Sequence, residues 1–415
     1  MKKINQNWSR RKFIHSLAGT GSLLMLHPVL SSWITENTDP RVAKLVAQTM
    51  GIDTHNHIDV PLDGTTSPEA KNAFNELMKT SGLSAIVMTF AVDYQRLTEE
   101  GQAYTRFLNG ISAMDKLLEN NNMKRALNFS DLKEAHQQKQ PIVIQSVEGG
   151  HFLEGKIERL QTAYDRGLRH LGLLHDNDAS VPLGDIYTNP PKWGGLTDFG
   201  AKVIQECNRL GILIDLTHCN NDTINAALKV SSKPLMISHI GLDTQLGKNE
   251  FMAKMMKPRL ISKKQAKIVA QAGGVIGAWT HLADSSLEYA QNIRALADVV
   301  GIEHICIGTD TKLTNPYRPP FNPNDHPQGK PDDKMDGPPP GMKDPNKEHQ
   351  GPPPNMPKGP NGERIGERTN LVWKDQKQGF YFEVVDALIK TGFSDSDIAK
   401  IGGENFARIF NESTK

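Results

Sequence analysis

Eight short apolar runs, each followed by a stretch of helical composition, constrain this chain more than any other feature. The first runs from Met50-Gly51-Ile52 into Asp53; the rest are 84–90, 141–147, 170–174, 212–217, 234–238, 274–279 and 304–309. Runs this short that do not alternate with polar residues read as strands buried on both faces. Between them the helical pattern covers 67–80, 93–120, 130–137, 156–166, 197–210, 221–230, 262–272 and 287–300, and it returns at 378–391 and after 401. Ser130-Asp131, Thr197 and Ser262 offer side-chain oxygens to helix starts, while Gly167 and Gly211 stop two of the helices. Strands that alternate with helices form parallel βαβ units. Eight such units over this length predict a (β/α)8 TIM barrel.

A barrel of this kind carries its chemistry at the carboxyl ends of its strands. His55, His57, Glu148, His175, His218, His239 and Asp310 all fall at such ends. His55 and His57 are two apart, so on a strand they share a face and can hold one metal ion. Any one of these side chains alone reads equally well as a satisfied core or loop residue. Their common phase with the strand ends favours a metal site.

The apolar fraction of 37% and charged fraction of 23% suit a globular core. Lys and Arg number 48 against 47 Asp and Glu, a balance that argues against nucleic acid as a partner. Ser9-Arg10-Arg11-Lys12-Phe13-Ile14 precedes a weakly apolar run, 17–30, in the pattern of a twin-arginine export signal. Residues 1–36 are assigned to that signal, with cleavage between Ser31 and Asn37. Pro28 and the shortness of the run argue against a stable membrane span in the mature chain. The expected location is the periplasm, or the membrane surface if the signal is retained. Cys207, Cys219 and Cys306 read as buried free thiols, with no disulfide framework. The barrel occupies 37–415, interrupted at about 314–370 by a stretch rich in Pro, Gly, Asn and Asp. That stretch cannot bury a core and reads as an insertion, either a spacer or a lid, whose His326 and His349 are not ligands.

Several motifs resemble those of the membrane (renal-type) dipeptidases. They are SVEGGHFL at 146–153, GLTDFGAKVIQECNRLGILIDLTH at 195–218, KPLMISH at 233–239, PRLIS at 258–262, GGVIGAW at 273–279 and GGENFARIF at 402–410. The resemblance implies a dinuclear metal-dependent barrel that hydrolyses dipeptides with two divalent ions, zinc by preference. It places His55 and His57 on the first ion, His218 and His239 on the second, and Glu148 on both. It makes Asp310 the proton carrier, His175 the oxyanion donor and Arg259 the grip on the substrate carboxylate. The implied partner is a small molecule, a dipeptide or similar, and a homodimer stays open.

The chain departs from the family at three places. The family's opening His-Asn-Asp reads HNHIDVP here, so either His55 and His57 or His57 and Asp59 meet the first ion. The first register keeps Asp53, His55 and Asn56 matched and is preferred. It leaves the site one negative charge poorer. Thr311-Lys312-Leu313 stands where the family has Phe-Asp-Gly, and Leu260 where it has Asn. These changes bear on the substrate. The alternatives are a related amide or lactone hydrolase and a catalytically weak metal-binding protein.

Overall fold

The computed structural model describes residues 38–65, 73–94, 96–316 and 366–415. The expected export signal, the start of the helix expected at 67–80 and most of the Pro-rich insertion lie outside them. Eight parallel strands form the centre: β1 (Ile52–His57), β2 (Ala85–Thr89), β3 (Ile142–Glu148), β4 (Leu168–Gly172), β5 (Leu213–Asp215), β6 (Met236–Ile240), β7 (Val275–Ala278) and β8 (Ile305–Ile307). Each pairs with the next, and β1 pairs with both β2 and β8, so the sheet closes into the expected (β/α)8 barrel. A short ninth strand, β9 (Thr311–Lys312), adds to β1 with Lys312 beside His57.

Every residue of the eight strands is buried, as continuous apolar runs require. The two faces separate with period two. Ile52, Ala85, Val87, Ile142, Ile144, Leu213, Met236, Val275 and Cys306 fill the barrel, where Phe406, Ile409 and Phe410 of the terminal helix Asn405–Thr414 join them. The intervening Ile86, Val143, Ile214, Ile237, Ile276 and Ile307 pack outward with the helices.

Above the apolar floor the interior is tight. A Cβ added at Gly277 or Gly308 would stand 1.8 or 1.7 Å from the Ser238 carbonyl oxygen, so only glycine fits there. Thr54 donates into the same layer, to Ser238 O at 3.0 Å and Ile307 O at 2.9 Å. The ladder then shifts register between Asp53 and Asn56 in β1 and between Ile237 and Ile240 in β6. Such irregularities re-aim side chains. Here Thr54 and His55, and likewise Ser238 and His239, are neighbours in sequence that both serve the barrel interior.

Helix limits follow local chemistry. Thr197 Oγ1 accepts from the Gly200 amide at 3.0 Å, and Gly211 ends Asp198–Leu210 at φ 86°. Ser262 accepts from the Gln265 amide at 3.2 Å. Two expectations need correction. The helix expected from residue 93 begins at Gln102, after the left-handed Gly101, because Asp93 and Tyr94 turn toward the barrel mouth instead. The helix expected to start at Ser130-Asp131 is Phe129–Gln137, and Asn128 caps it by accepting from the Asp131 amide at 3.1 Å.

The Pro-rich insertion also ends earlier than residue 370. Lys312 N donates to Glu367 O at 2.8 Å. Thr369 is fully buried, with its hydroxyl 2.6 Å from both Asn56 Nδ2 and Thr311 Oγ1. The three cysteines are free and buried, as expected. Among the described residues no helix is long and apolar enough to cross a membrane.

Candidate metal centre

Six strands raise donors to one point. β1 supplies His55 and His57, β3 Glu148 and β6 His239; His175, His218 and Asp310 follow β4, β5 and β8. All are buried except Asp310, which is partly open. Glu148 is the hub. Its Oε1 lies 3.0 Å from His218 Nε2, 3.4 Å from His55 Nε2 and 3.9 Å from His239 Nε2. Its Oε2 faces His175 Nε2 at 3.3 Å and His57 Nε2 at 3.5 Å, yet makes no hydrogen bond among the described residues. His57 Nε2 also lies 3.1 Å from His55 Nε2 and 3.2 Å from Asp310 Oδ1.

Three overlapping sets of ligand atoms result: His55, His57 and Asp310; His55, Glu148 and His239; Glu148, His175 and His218. Within each set the atoms lie within 4.8 Å of one another. His218 and His239 meet through Glu148 rather than directly, and the His239 ring is nearer His55 (centroids 4.0 Å) than His218 (5.4 Å). Asp59, the ligand of the other register, pairs with Lys312 at 2.7 Å instead.

A second layer orients these rings. Ser238 Oγ donates to Asp215 Oδ2 at 2.6 Å. Its lone pairs then face His55 Nδ1 at 3.2 Å and His239 Nδ1 at 2.9 Å. A hydroxyl whose proton is already given away can only accept, so both rings carry hydrogen on Nδ1 and Nε2 is the nitrogen left to face an ion. Asp93 Oδ1 holds His175 Nδ1 at 2.6 Å, and Asp176 Oδ1 holds His218 Nδ1 at 3.1 Å. His218 (φ 69°) and Asp310 (φ 54°) both adopt the left-handed backbone region, which non-glycine residues enter at a cost.

Burial works against protonating these imidazoles, but the carboxylates override it at three of them: at His175 Glu148 and Asp93 raise the pKa, and His55 and His218 follow the same pattern. Around His55 the charge of Glu148, with Asp310 and Asp215, lifts the pKa to about 9. At His218 the hydrogen bonds to Asp176 and Glu148 lift it to about 10. His239 goes the other way, to about 3, because burial is reinforced by His55. Burial would raise the Glu148 carboxyl, but His175 and His55 hold it well below the usual range. His239 and His281 do the same for Asp310. The carboxylates of this mouth gather cationic charge, which a divalent ion would also supply.

Arg259 stands to one side, with Nη2 on Asp176 Oδ2 at 3.0 Å. Asp93, Tyr94, Asp176, Asp215, Ser238 and His281 also serve the site, though none is among the candidates at the strand ends. His281 Nε2 lies 3.5 Å from Asp310 Oδ2. The seventh strand had no candidate at its end, and that gap was the one signal pointing to His281. The second strand lacked one too, and Asp93 and Tyr94 follow it; Asp176 adjoins His175, Asp215 and Ser238 lie inside named motifs, and all of these act across strands.

A parallel barrel with an imidazole-rich mouth gathered on one buried carboxylate defines a metallohydrolase. The chain belongs to the membrane dipeptidase family, peptidase family M19, whose model matches residues 40–315. Dipeptidase 3 of Mus musculus is 39% identical over 101 residues, a match covering 22% of this chain and 20% of that protein. The match therefore spans about one fifth of the curated relative. An amidohydrolase from Pseudomonas aeruginosa superposes with a TM-score of 0.64 at 21% identity, covering 90% of this chain and 98% of its own. A metallo peptidase from Rhodobacter sphaeroides, liganded with a phosphinate mimic of the dipeptide L-Ala-D-Ala, gives 0.60 at 15% identity, covering 88% and 99%. At these identities the structural likenesses establish the shared fold.

Proposed function

We propose that this protein hydrolyses dipeptides using two divalent ions, most suitably zinc. The observation that carries this reading is Glu148, a buried carboxylate whose two oxygens face different imidazoles and whose Oε2 lacks a hydrogen bond among the described residues. Imidazole nitrogens with carboxylate oxygens form a donor set that suits zinc. His55 and His57 would hold one ion, His218 and His239 the other, and Glu148 both. Ions so held supply a water acidic enough to attack near neutral pH and an electrophile for the scissile carbonyl.

The chain's own residues do the rest. Asp310 takes the proton of the attacking water and passes it to the leaving amine. His175, held at Nδ1 by Asp93, donates from Nε2 to the developing oxyanion. Arg259 offers parallel donors to a terminal carboxylate, its plane fixed by Asp176. The mimic held by the Rhodobacter sphaeroides peptidase supports a dipeptide substrate. One observation favours the second reading, an amide or lactone hydrolase: Arg259 is already engaged by Asp176.

Metal analysis of the purified protein, with a dipeptide panel that includes D-residues, tests the proposal. Two ions per chain and hydrolysis abolished by chelation are expected. A silent panel with turnover of a lactone or acyl amide would select the second reading, and no metal uptake would overturn both. Loading has to displace protons from His55 and His218, whose pKa values are raised to about 9 and about 10. Apparent affinity should therefore climb about tenfold per pH unit for each displaced proton, levelling off above those values. Titration calorimetry in buffers of different ionisation heat checks this; a pH-independent affinity would contradict it.

We place the mature protein in the periplasm, on the strength of the Arg10-Arg11 motif and the apolar run after it. Replacing Arg10 and Arg11 together by Lys should leave the protein in the cytoplasm. Unchanged periplasmic recovery on fractionation would refute the assignment.

A further inference from the structure

The inference concerns His57 and rests on the two-ion reading above. To hold an ion, His57 must turn a bare Nε2 inward, and its Nδ1 must then carry the hydrogen. His55 and His239 have Ser238 to accept that hydrogen, His175 has Asp93, and His218 has Asp176. Of the five, only His57 has a phenol as the sole neighbour of its Nδ1 among the described residues: Tyr94, whose hydroxyl lies 2.6 Å away. The Tyr94 ring bridges two of the site histidines, with centroids 5.8 Å from His57 and 5.5 Å from His175. Tyr94 is 53% exposed, so packing does not explain its place at the rim.

The Tyr94 phenol can donate or accept, whereas Asp93 and Asp176 only accept, Ser238 has given its proton to Asp215, and the Tyr187 phenol beside His218 Nδ1 shares that ring with Asp176. With hydrogen on His57 Nε2, that nitrogen donates to Asp310 Oδ1 at 3.2 Å, and Tyr94 donates to the bare Nδ1. With the hydrogen on Nδ1, Tyr94 accepts it, and Nε2 is free for an ion. We infer that Tyr94 is the positioning residue of His57: its hydroxyl accepts the Nδ1 hydrogen in the tautomer that binds metal and holds the ring with Nε2 toward the ion. A carboxylate at position 57 would need no such partner, because both its oxygens carry lone pairs. Tyr94 therefore matters only because residue 57 is an imidazole.

That dependence sets the test, a double-mutant cycle read by zinc affinity on the full chain. The wild type, Tyr94→Phe, His57→Asp and the double variant are stripped and retitrated with zinc against a chromophoric chelator. Tyr94→Phe removes one hydroxyl and keeps the ring between His57 and His175. It is expected to weaken one of the two zinc ions about 10–100-fold, the usual effect of losing an outer partner, and to leave the other unchanged. In the His57→Asp background the same change should have no effect. Wild-type affinity at both positions in Tyr94→Phe would overturn the inference. So would an equal loss in the His57→Asp background, since it would mark a general structural role. A wild type that takes up no zinc would overturn this inference and the functional proposal together. A two-zinc wild type with an unaffected Tyr94→Phe would overturn this inference alone.

Discussion

Glu148→Gln is expected to release both ions at once. The substitution keeps size and shape but leaves one acceptor oxygen where there were two, and sets an amide N–H₂ against imidazole nitrogens. Either orientation fails one side, because Oε1 faces His218 and His55 while Oε2 faces His175 and His57. The lost charge acts on both sides, since the same carboxylate lifts His55 and His218. Losing an outer partner of a ligand already weakens a metal about 10–100-fold, so losing a shared ligand should exceed about 100-fold at each position. Elemental analysis and chelator competition measure this directly, with circular dichroism to confirm the fold. A variant that keeps two tightly bound ions would show that Glu148 is not shared.

Asp310→Asn is expected to keep both ions and lose turnover. Asn can accept a hydrogen bond but cannot carry a proton from the water to the leaving amine. Acid–base groups of this kind contribute about 10²–10⁴-fold, so kcat should fall by that amount with little change in KM. The neighbouring contacts, His57 Nε2 at 3.2 Å and His281 Nε2 at 3.5 Å, leave room for an amide of the same shape. Asp310 also belongs to one of the three ligand sets. Loss of one ion in Asp310→Asn would recast the residue as a ligand, and an unchanged kcat would remove it from the reaction.

The barrel was legible because each strand is a short apolar run of its own, and the sequence spells such runs out residue by residue. Helix starts were legible where the cap is the usual Thr or Ser, as at Thr197 and Ser262. They failed at 128–131, where three capping residue types crowd together: Asn128 accepts from the Asp131 amide, Asp131 from the Leu127 amide, and Ser130 donates to Asn128. The 93–101 segment failed because its composition suits a helix while Asp93 and Tyr94 serve His175 and His57. The inner donors could be listed from the sequence since each lies at or just after the end of a strand. Their supports could not, because Ser238 meets His55 across 183 residues and Asp176 meets His218 across 42. Such pairings exist only once the barrel closes and the ladder of β1 and β6 has slipped register.

Lys312 and Arg368 lie side by side as a parallel bridge, with Lys312 N on Glu367 O at 2.8 Å. The chain that leaves the mouth after β9 thus returns within one hydrogen bond of its departure. Closing a loop whose ends already touch grows costlier only with the logarithm of its length, about 0.6 kcal/mol for each doubling. The barrel is therefore nearly indifferent to how many residues stand between 316 and 366. Evolution can lengthen, shorten or swap that segment without altering a strand, which makes it a point of modular exchange beside the catalytic mouth. The same indifference makes it the natural port for threading a foreign domain or a tether into this scaffold.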